Sequence, residues 1–212
     1  PSICGAEERM AKKPENVGGL IKTLLESAKP VGKSEMEELR EFSKSLNGPE
    51  ELEAWDYSFY QEKLKKEKFN IDDEVLKPYF PLDKVIDGVF EVVKKLYGLT
   101  YTPLTNLPTY HPDVKVYEVK KESGDFLGLF YADFFPRQGK RGGAWMTNFK
   151  GQYREDSIDH RPHVAIVCNF TKPTETKPSL LTFNEVLTFF HEFGHSLHGI
   201  LANGKYESLS GT

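Results

Sequence analysis

Three features of the sequence predict a predominantly helical α+β fold, a helical bundle packed on a small mixed sheet. Residues 10–76 are charged, rich in Ala, Leu, Glu and Lys, and apolar at helical spacing. After Thr100 the apolar period falls from 3.6 towards 2, as strands require. Residues 182–201 return to helical spacing with a strong start signal. The expected organisation is a helical part over 1–100, followed by a small sheet and a closing helix over 101–212.

A first helix is expected over 15–28, weakened by Gly18-Gly19 and stopped by Pro30, which lacks the N–H that a helix interior uses. A second is expected over 34–46, closed by Asn47-Gly48-Pro49. A third is expected over 50–66, carrying Trp55, Tyr57, Phe59 and Tyr60. Charge runs such as 62–68 read as solvated helix faces rather than binding patches. Pro78 and Pro81 break the pattern, and 83–97 forms a strongly amphipathic helix that Gly98 ends. Leu82, Val85, Ile86, Val89, Phe90, Val93, Leu96 and Tyr97 follow this spacing and are expected to pack into the core.

Residues 114–119 alternate, 121–125 are turn-like and 126–135 are aromatic and strand-like, which together suggest neighbouring antiparallel strands. Gly139-Lys-Arg-Gly-Gly143 has neither the spacing nor the following helix of a phosphate loop and reads as a turn. Residues 164–170 form a short apolar strand. It either borders a cleft, where free backbone groups pair with an extended peptide, or is wholly internal.

With 38% hydrophobic residues over 212 positions, the chain can bury a sizeable core. A net charge of −4 offers no surplus for phosphates, so no nucleic-acid partner is expected. No apolar run approaches the roughly 20 residues that span a bilayer, so no membrane partner is expected either. Pro1-Ser2-Ile3-Cys4 has no basic or apolar leader and reads as the middle of a longer chain; the expected compartment is the cytoplasm. Cys4 and Cys168 make no disulfide framework, and Cys168, inside an apolar run, is expected to be buried and inert.

Chemistry concentrates in the last helix. Thr182 and Glu185 have the spacing of a capping box, and Asn203-Gly204 is the expected left-handed stop. At helical spacing Val186, Phe189, Phe190, Phe193, Leu197, Ile200 and Leu201 share one face, with Asn184, Thr188, His191, His195 and His198 opposite. His191 and His195 sit one turn apart on one side, so two imidazoles can converge on one tetrahedral ion. Glu192 lies on the flank of that stripe, where a carboxylate can take a proton from an activated water without being a ligand. His191-Glu192-Phe193-Gly194-His195 is therefore an H-E-x-x-H zinc-peptidase signature in a helical frame. His198 lies about 10 Å along the axis from His191 and reads as a hydrogen-bonding histidine near the site rather than a ligand. The longer pattern with a third histidine fails, because His198 and Leu201 stand where Gly and His belong.

Gly128-Leu-Phe-Tyr-Ala-Asp-Phe-Phe, Lys140-Arg-Gly-Gly-Ala-Trp-Met, Val167-Cys-Asn-Phe-Thr-Lys-Pro, Phe190-His-Glu-Phe-Gly-His-Ser-Leu-His-Gly and Ser208-Leu-Ser-Gly-Thr resemble the thimet-oligopeptidase-like zinc peptidases. Within these they look most like the bacterial peptidyl-dipeptidases, or dipeptidyl carboxypeptidases, and Tyr110-His-Pro-Asp-Val114 and Trp55-Asp-Tyr-Ser-Phe-Tyr agree. The resemblance implies a largely helical, channel-bearing peptidase whose sheet and metal helix are thermolysin-like, acting on short peptides and releasing C-terminal dipeptides. It implies one Zn2+ held by His191 and His195, with Glu192 as the catalytic base. It further implies a third ligand, a Glu on the next helix, expected beyond Thr212, so that 101–212 is an incomplete part of a catalytic domain.

Several expectations follow. The 212 residues alone are expected to be hydrolytically inactive, to hold zinc weakly, and to self-associate through apolar surface. Glu207, the one carboxylate after the helix, is a poor substitute ligand. Arg137, Lys140, Arg141 and Arg154 are candidates to bind a substrate's terminal carboxylate. Two alternatives stay open: a non-catalytic helical scaffold or interaction fragment whose histidines have no metal role, and a zinc hydrolase acting on something other than peptides.

Overall fold

The computed structural model describes residues 10–70 and 73–211. Cys4 and the N-terminal leader expectation lie outside them. The chain divides into two compact units, 1–71 and 72–212.

In the first unit, helix α1 spans Pro14–Ser45 and α2 spans Tyr57–Phe69. The two helices expected either side of Pro30 are one. Proline removes a single helical bond and presses on the carbonyl four residues back. Residues 21–30 are all exposed, so water can solvate the freed Glu26 carbonyl. Helix α2 starts later than expected because Asp56 accepts a bond from the Glu53 N–H at 3.0 Å and holds the preceding residues in a turn. Leu39, Phe42, Leu52 and Tyr60 form this unit's small core.

The second unit opens with a single turn, α3 (Asp73–Leu76), and a 3-10 turn (Lys77–Tyr79), followed by α4 (Leu82–Tyr97). Helix α4 buries Leu82, Val85, Ile86, Val89 and Val93 and ends at left-handed Gly98 (φ 64°), as expected, but Leu96 and Tyr97 in its last turn are 68% and 54% exposed rather than in the core. Among the described residues seven strands follow: β1 (Leu99–Leu104), β2 (Lys115–Lys121), β3 (Phe126–Asp133), β4 (Trp145–Lys150), β5 (Tyr153–Glu155), β6 (Ile158–His160) and β7 (His163–Val167). Helix α5 (Phe183–Ile200) and a 3-10 turn (Glu207–Leu209) complete the unit.

Five strands form a mixed sheet in the order β1-β2-β3-β7-β4, with β3 and β7 parallel and the other pairs antiparallel; β5 and β6 make a separate hairpin. Strand β1 tolerates Pro103 because it is an edge strand, where a missing donor costs no ladder bond. Strand β7 lies between β3 and β4, so it is internal and offers no free edge to a peptide. Helices α4 and α5 bury their apolar faces in one core with β2, β3 and β7, where Phe90, Phe130 and Phe193 meet ring to ring. Among the described residues, no helix is long and apolar enough to cross a membrane.

Candidate active site on helix α5

Both ends of α5 are fixed. At its start the Glu185 N–H donates to Thr182 Oγ1 (3.1 Å) and the Thr182 N–H donates to Glu185 Oε2 (2.8 Å), which completes the expected capping box. Just upstream, the Leu181 N–H donates to the Phe80 carbonyl and the Leu82 N–H to the Ser179 carbonyl, tying the starts of α4 and α5 together.

The other end corrects the sequence. Leu201 caps α5 in a right-handed conformation, and neither Asn203 nor Gly204 has a positive φ. Side chains take over the terminal carbonyls instead. The Arg161 guanidinium donates to those of Ile200 and Ala202, while buried Gln152 donates to the Gly204 carbonyl and accepts from its N–H. A glycine stop is unnecessary once a cation satisfies the last-turn carbonyl of Ile200 and an amide holds the loop that follows.

The buried face is also rotated from the one expected. Val186, Phe189, Phe193 and Ile200 are inside, joined by Glu192, Ser196 and Gly199, while Phe190 is 42% and Leu201 39% exposed. Small residues decide this. A Cβ on Gly199 would stand 3.2 Å from both Asn148 Oδ1 and Val164 Cγ2, so glycine there lets the helix settle closely on β4 and β7.

His191 is exposed and His195 half-buried, and their Nε2 atoms converge to 3.2 Å. Two nitrogens bound about 2.0–2.1 Å from one tetrahedral zinc would stand about 3.3 Å apart. The pair therefore fits two corners of such a site, and the same distance also suits an N–H···N bond between imidazoles. Glu192 is only 8% exposed. Burial, then the Glu192 charge, pushes the Cys168 thiol up to about 12, so this buried cysteine is no nucleophile at neutral pH.

Among the described residues no group of three His, Cys, Asp or Glu side chains is arranged to hold an ion. His198 is exposed and does not join the pair. Glu207 is engaged elsewhere, its Oε1 accepting from the Gly151 N–H at 2.7 Å.

Of the four cations considered for a substrate carboxylate, three are tied up. Arg137 and Lys140 donate to Asp133, and Arg154 donates to Asn203 Oδ1. Arg141 is exposed. Sequence reasoning missed the buried cluster around Asp133, for which the visible signal was one carboxylate at the end of an aromatic strand. Burial pushes that carboxyl up, but bonds from Arg137, Lys140 and Tyr110 outweigh it and leave it below its ordinary range. Burial, then the Asp133 charge, raises the Tyr110 phenol and keeps it a donor.

Comparison with known proteins now adds to this geometry. Oligopeptidase A of Salmonella typhimurium is 42% identical over 204 residues, covering 96% of this chain and 30% of that protein. Oligopeptidase A of Escherichia coli K12 matches at the same identity and coverage. Dipeptidyl carboxypeptidase of Escherichia coli K12 is 40% identical over 208 residues, covering 97% of this chain and 30% of that protein. The chain thus spans about a third of the length of these curated relatives. The pattern of Peptidase family M3 matches residues 4–212, almost the whole chain, and the protein belongs to that family.

Proposed function

We propose that the complete protein is a zinc peptidase that hydrolyses short peptides, releasing dipeptides from their C-termini, and that α5 carries part of its active site. The observation that carries this is the convergence of His191 and His195 Nε2 to 3.2 Å, with the Glu192 carboxylate between them in sequence and nearly buried. His191 and His195 bind the ion as neutral imidazoles, and the third ligand comes from outside these 212 residues, since a catalytic zinc site uses three protein ligands. Zinc held there supplies Lewis acidity for amide hydrolysis. Glu192 takes the proton of the attacking water and passes it to the departing amine, and its shielded position keeps bulk water from competing for that proton. Strand β4, at the sheet edge beside α5, suits an extended peptide in a way that internal β7 does not.

Two alternatives are separable. Relatives named oligopeptidase A match as well as those named dipeptidyl carboxypeptidase, which favours, as a second cleavage pattern, hydrolysis of oligopeptides that is not limited to C-terminal dipeptides. A scaffold without metal would instead use the 3.2 Å approach as a plain imidazole hydrogen bond.

Metal analysis and peptide turnover of the complete protein test all three. The expected result is about one zinc per chain, lost in His191→Ala, with Glu192→Gln keeping zinc while turnover falls about 10²–10⁴-fold. Dipeptide products from peptides with a free C-terminus, and none from amidated ones, support C-terminal release; fragments of mixed length support the second pattern. Absence of zinc together with chelator-insensitive behaviour would establish the scaffold. The 212-residue chain alone is expected to bind zinc weakly and to turn over nothing. Chelator-sensitive hydrolysis by it would overturn the requirement for an outside ligand.

A further inference from the structure

A second polar constellation lies under the start of α5, and the hydrolysis just proposed does not use it. Asp133, the last residue of β3, is 1% exposed. Its carboxylate accepts a bidentate pair from Arg137 (2.8 and 2.9 Å), one bond from Lys140 Nζ (2.9 Å) and one from the Tyr110 hydroxyl (3.0 Å). The Lys140 side chain is 3% exposed. Its three N–H groups are shared between that carboxylate and the main-chain carbonyls of Asp133 (3.1 Å), Phe135 (2.7 Å) and Cys168.

Stability alone does not account for such a cluster, because well-packed apolar residues often replace a buried ion pair at no cost. What separates Lys140 from Arg137 is the main chain that it holds. Both cations neutralise Asp133, but only Lys140 joins the end of β3 to the end of β7. There the strands are already cross-tied, with the Cys168 N–H donating to the Asp133 carbonyl and the Phe170 N–H to the Phe134 carbonyl, both at 2.8 Å.

The residues so tied form the seat of α5. Phe134 meets Phe189 edge-on at 5.2 Å, and Phe170 lies 5.9 Å from Phe134 and 6.4 Å from Phe189, ring centre to ring centre. Phe189 is fully buried and stands three residues before Glu192. The loop bearing Lys140 is also fastened, since Asn169 Nδ2 donates to the carbonyls of Arg141 (3.0 Å) and Gly143 (2.7 Å).

We propose that Lys140 is a positioning residue for the hydrolytic site, whose ammonium clamps the ends of β3 and β7 beneath Phe189 and so fixes the placement of Glu192. This rests on Glu192 being the base. A shift of about 1 Å at such a group is enough to cost about 10²-fold in rate, so a clamp two layers away is worth keeping.

The test compares Lys140→Met with Arg137→Met in the complete protein; each removes one cation from Asp133 and only the first removes the clamp. In Lys140→Met, kcat is expected to fall about 10–100-fold with KM within about twofold and zinc content unchanged, while Arg137→Met stays within about threefold in kcat. Amide exchange at Cys168, Phe170 and residues 189–192 should quicken in Lys140→Met only. The double variant Asp133→Asn/Lys140→Met removes the buried carboxylate, which in the single variant keeps only Arg137 as its cation and so threatens folding, and it must show the same kcat loss. Equal losses in both single variants, or a folded Lys140→Met with wild-type kcat and unchanged exchange, overturn the proposal. If the wild-type protein hydrolyses no peptide, the assignment of Glu192 is what fails, and the exchange comparison still decides whether Lys140 clamps the strands.

Discussion

Helices α1 and α5 both carry apolar residues at helical spacing, yet they are held in opposite ways. Over 18 residues α5 buries Val186, Phe189, Glu192, Phe193, Ser196, Gly199 and Ile200, with a capping box at one end and Arg161 at the other. Over 32 residues α1 buries only Leu39, Phe42 and Ser43, while Leu20, Ile21, Leu24 and Leu25 are each more than half exposed. Amphipathic spacing makes a helix; contact with a sheet gives it a fixed height and rotation. That is why α1 accommodates a proline in its interior, whereas α5 carries the groups that need close placement.

Four substitutions break or sharpen this contrast in the 212-residue chain. Phe193→Ala, which empties the centre of the ring cluster, is expected to cost about 3–5 kcal/mol, read from thermal or urea unfolding. Pro30→Ala restores a helix bond in α1 and is expected to stabilise that region by up to about 3 kcal/mol. Slower amide exchange over 26–34 would register it, and unchanged exchange would mean that the proline carries no local penalty. Thr182→Ala removes one half of the capping box and should cost about 1 kcal/mol, with Thr182→Ser recovering most of it. Leu24→Ala, on the exposed stripe of α1, should change stability by less than about 0.5 kcal/mol. A loss above about 2 kcal/mol at Leu24 would show that the stripe is covered and would end the contrast.

Local signals were read well where the chain obeyed one rule at a time. The span and stop of α4, the hairpin joining β2 to β3, and the start of α5 all follow from spacing, capping and turn residues within a few positions. Reading failed where a distant partner substituted for a local signal. The β5–β6 hairpin turns through Asp156 and Ser157 at φ 47° and 68°, with no glycine to announce it. Strand β4 has no clean alternation because its two sides meet different neighbours, Gly199 of α5 against Asn148 on one and the Tyr131 ring against Phe149 on the other. The glycine stop after α5 was displaced by Arg161 and Gln152, which lie about 40 to 50 positions earlier in the chain.

At the site the division is similar. That His191 and His195 face the same way, one turn apart, is a property of helical geometry, and any chain folding this stretch as a helix would place them so. Spacing could not say that Glu192 lies nearly buried while Phe190 stays out, because that depends on Gly199 and Ser196 meeting a sheet built from residues far upstream. Nor could it tell a cation free to bind substrate from one already spent, since Lys140 looks like its exposed neighbour Arg141 until the ends of β3 and β7 close around its ammonium. Backbone hydrogen bonding acts over four residues and writes the helix into the sequence; burial and charge pairing act across the fold and are settled only when the strands come together.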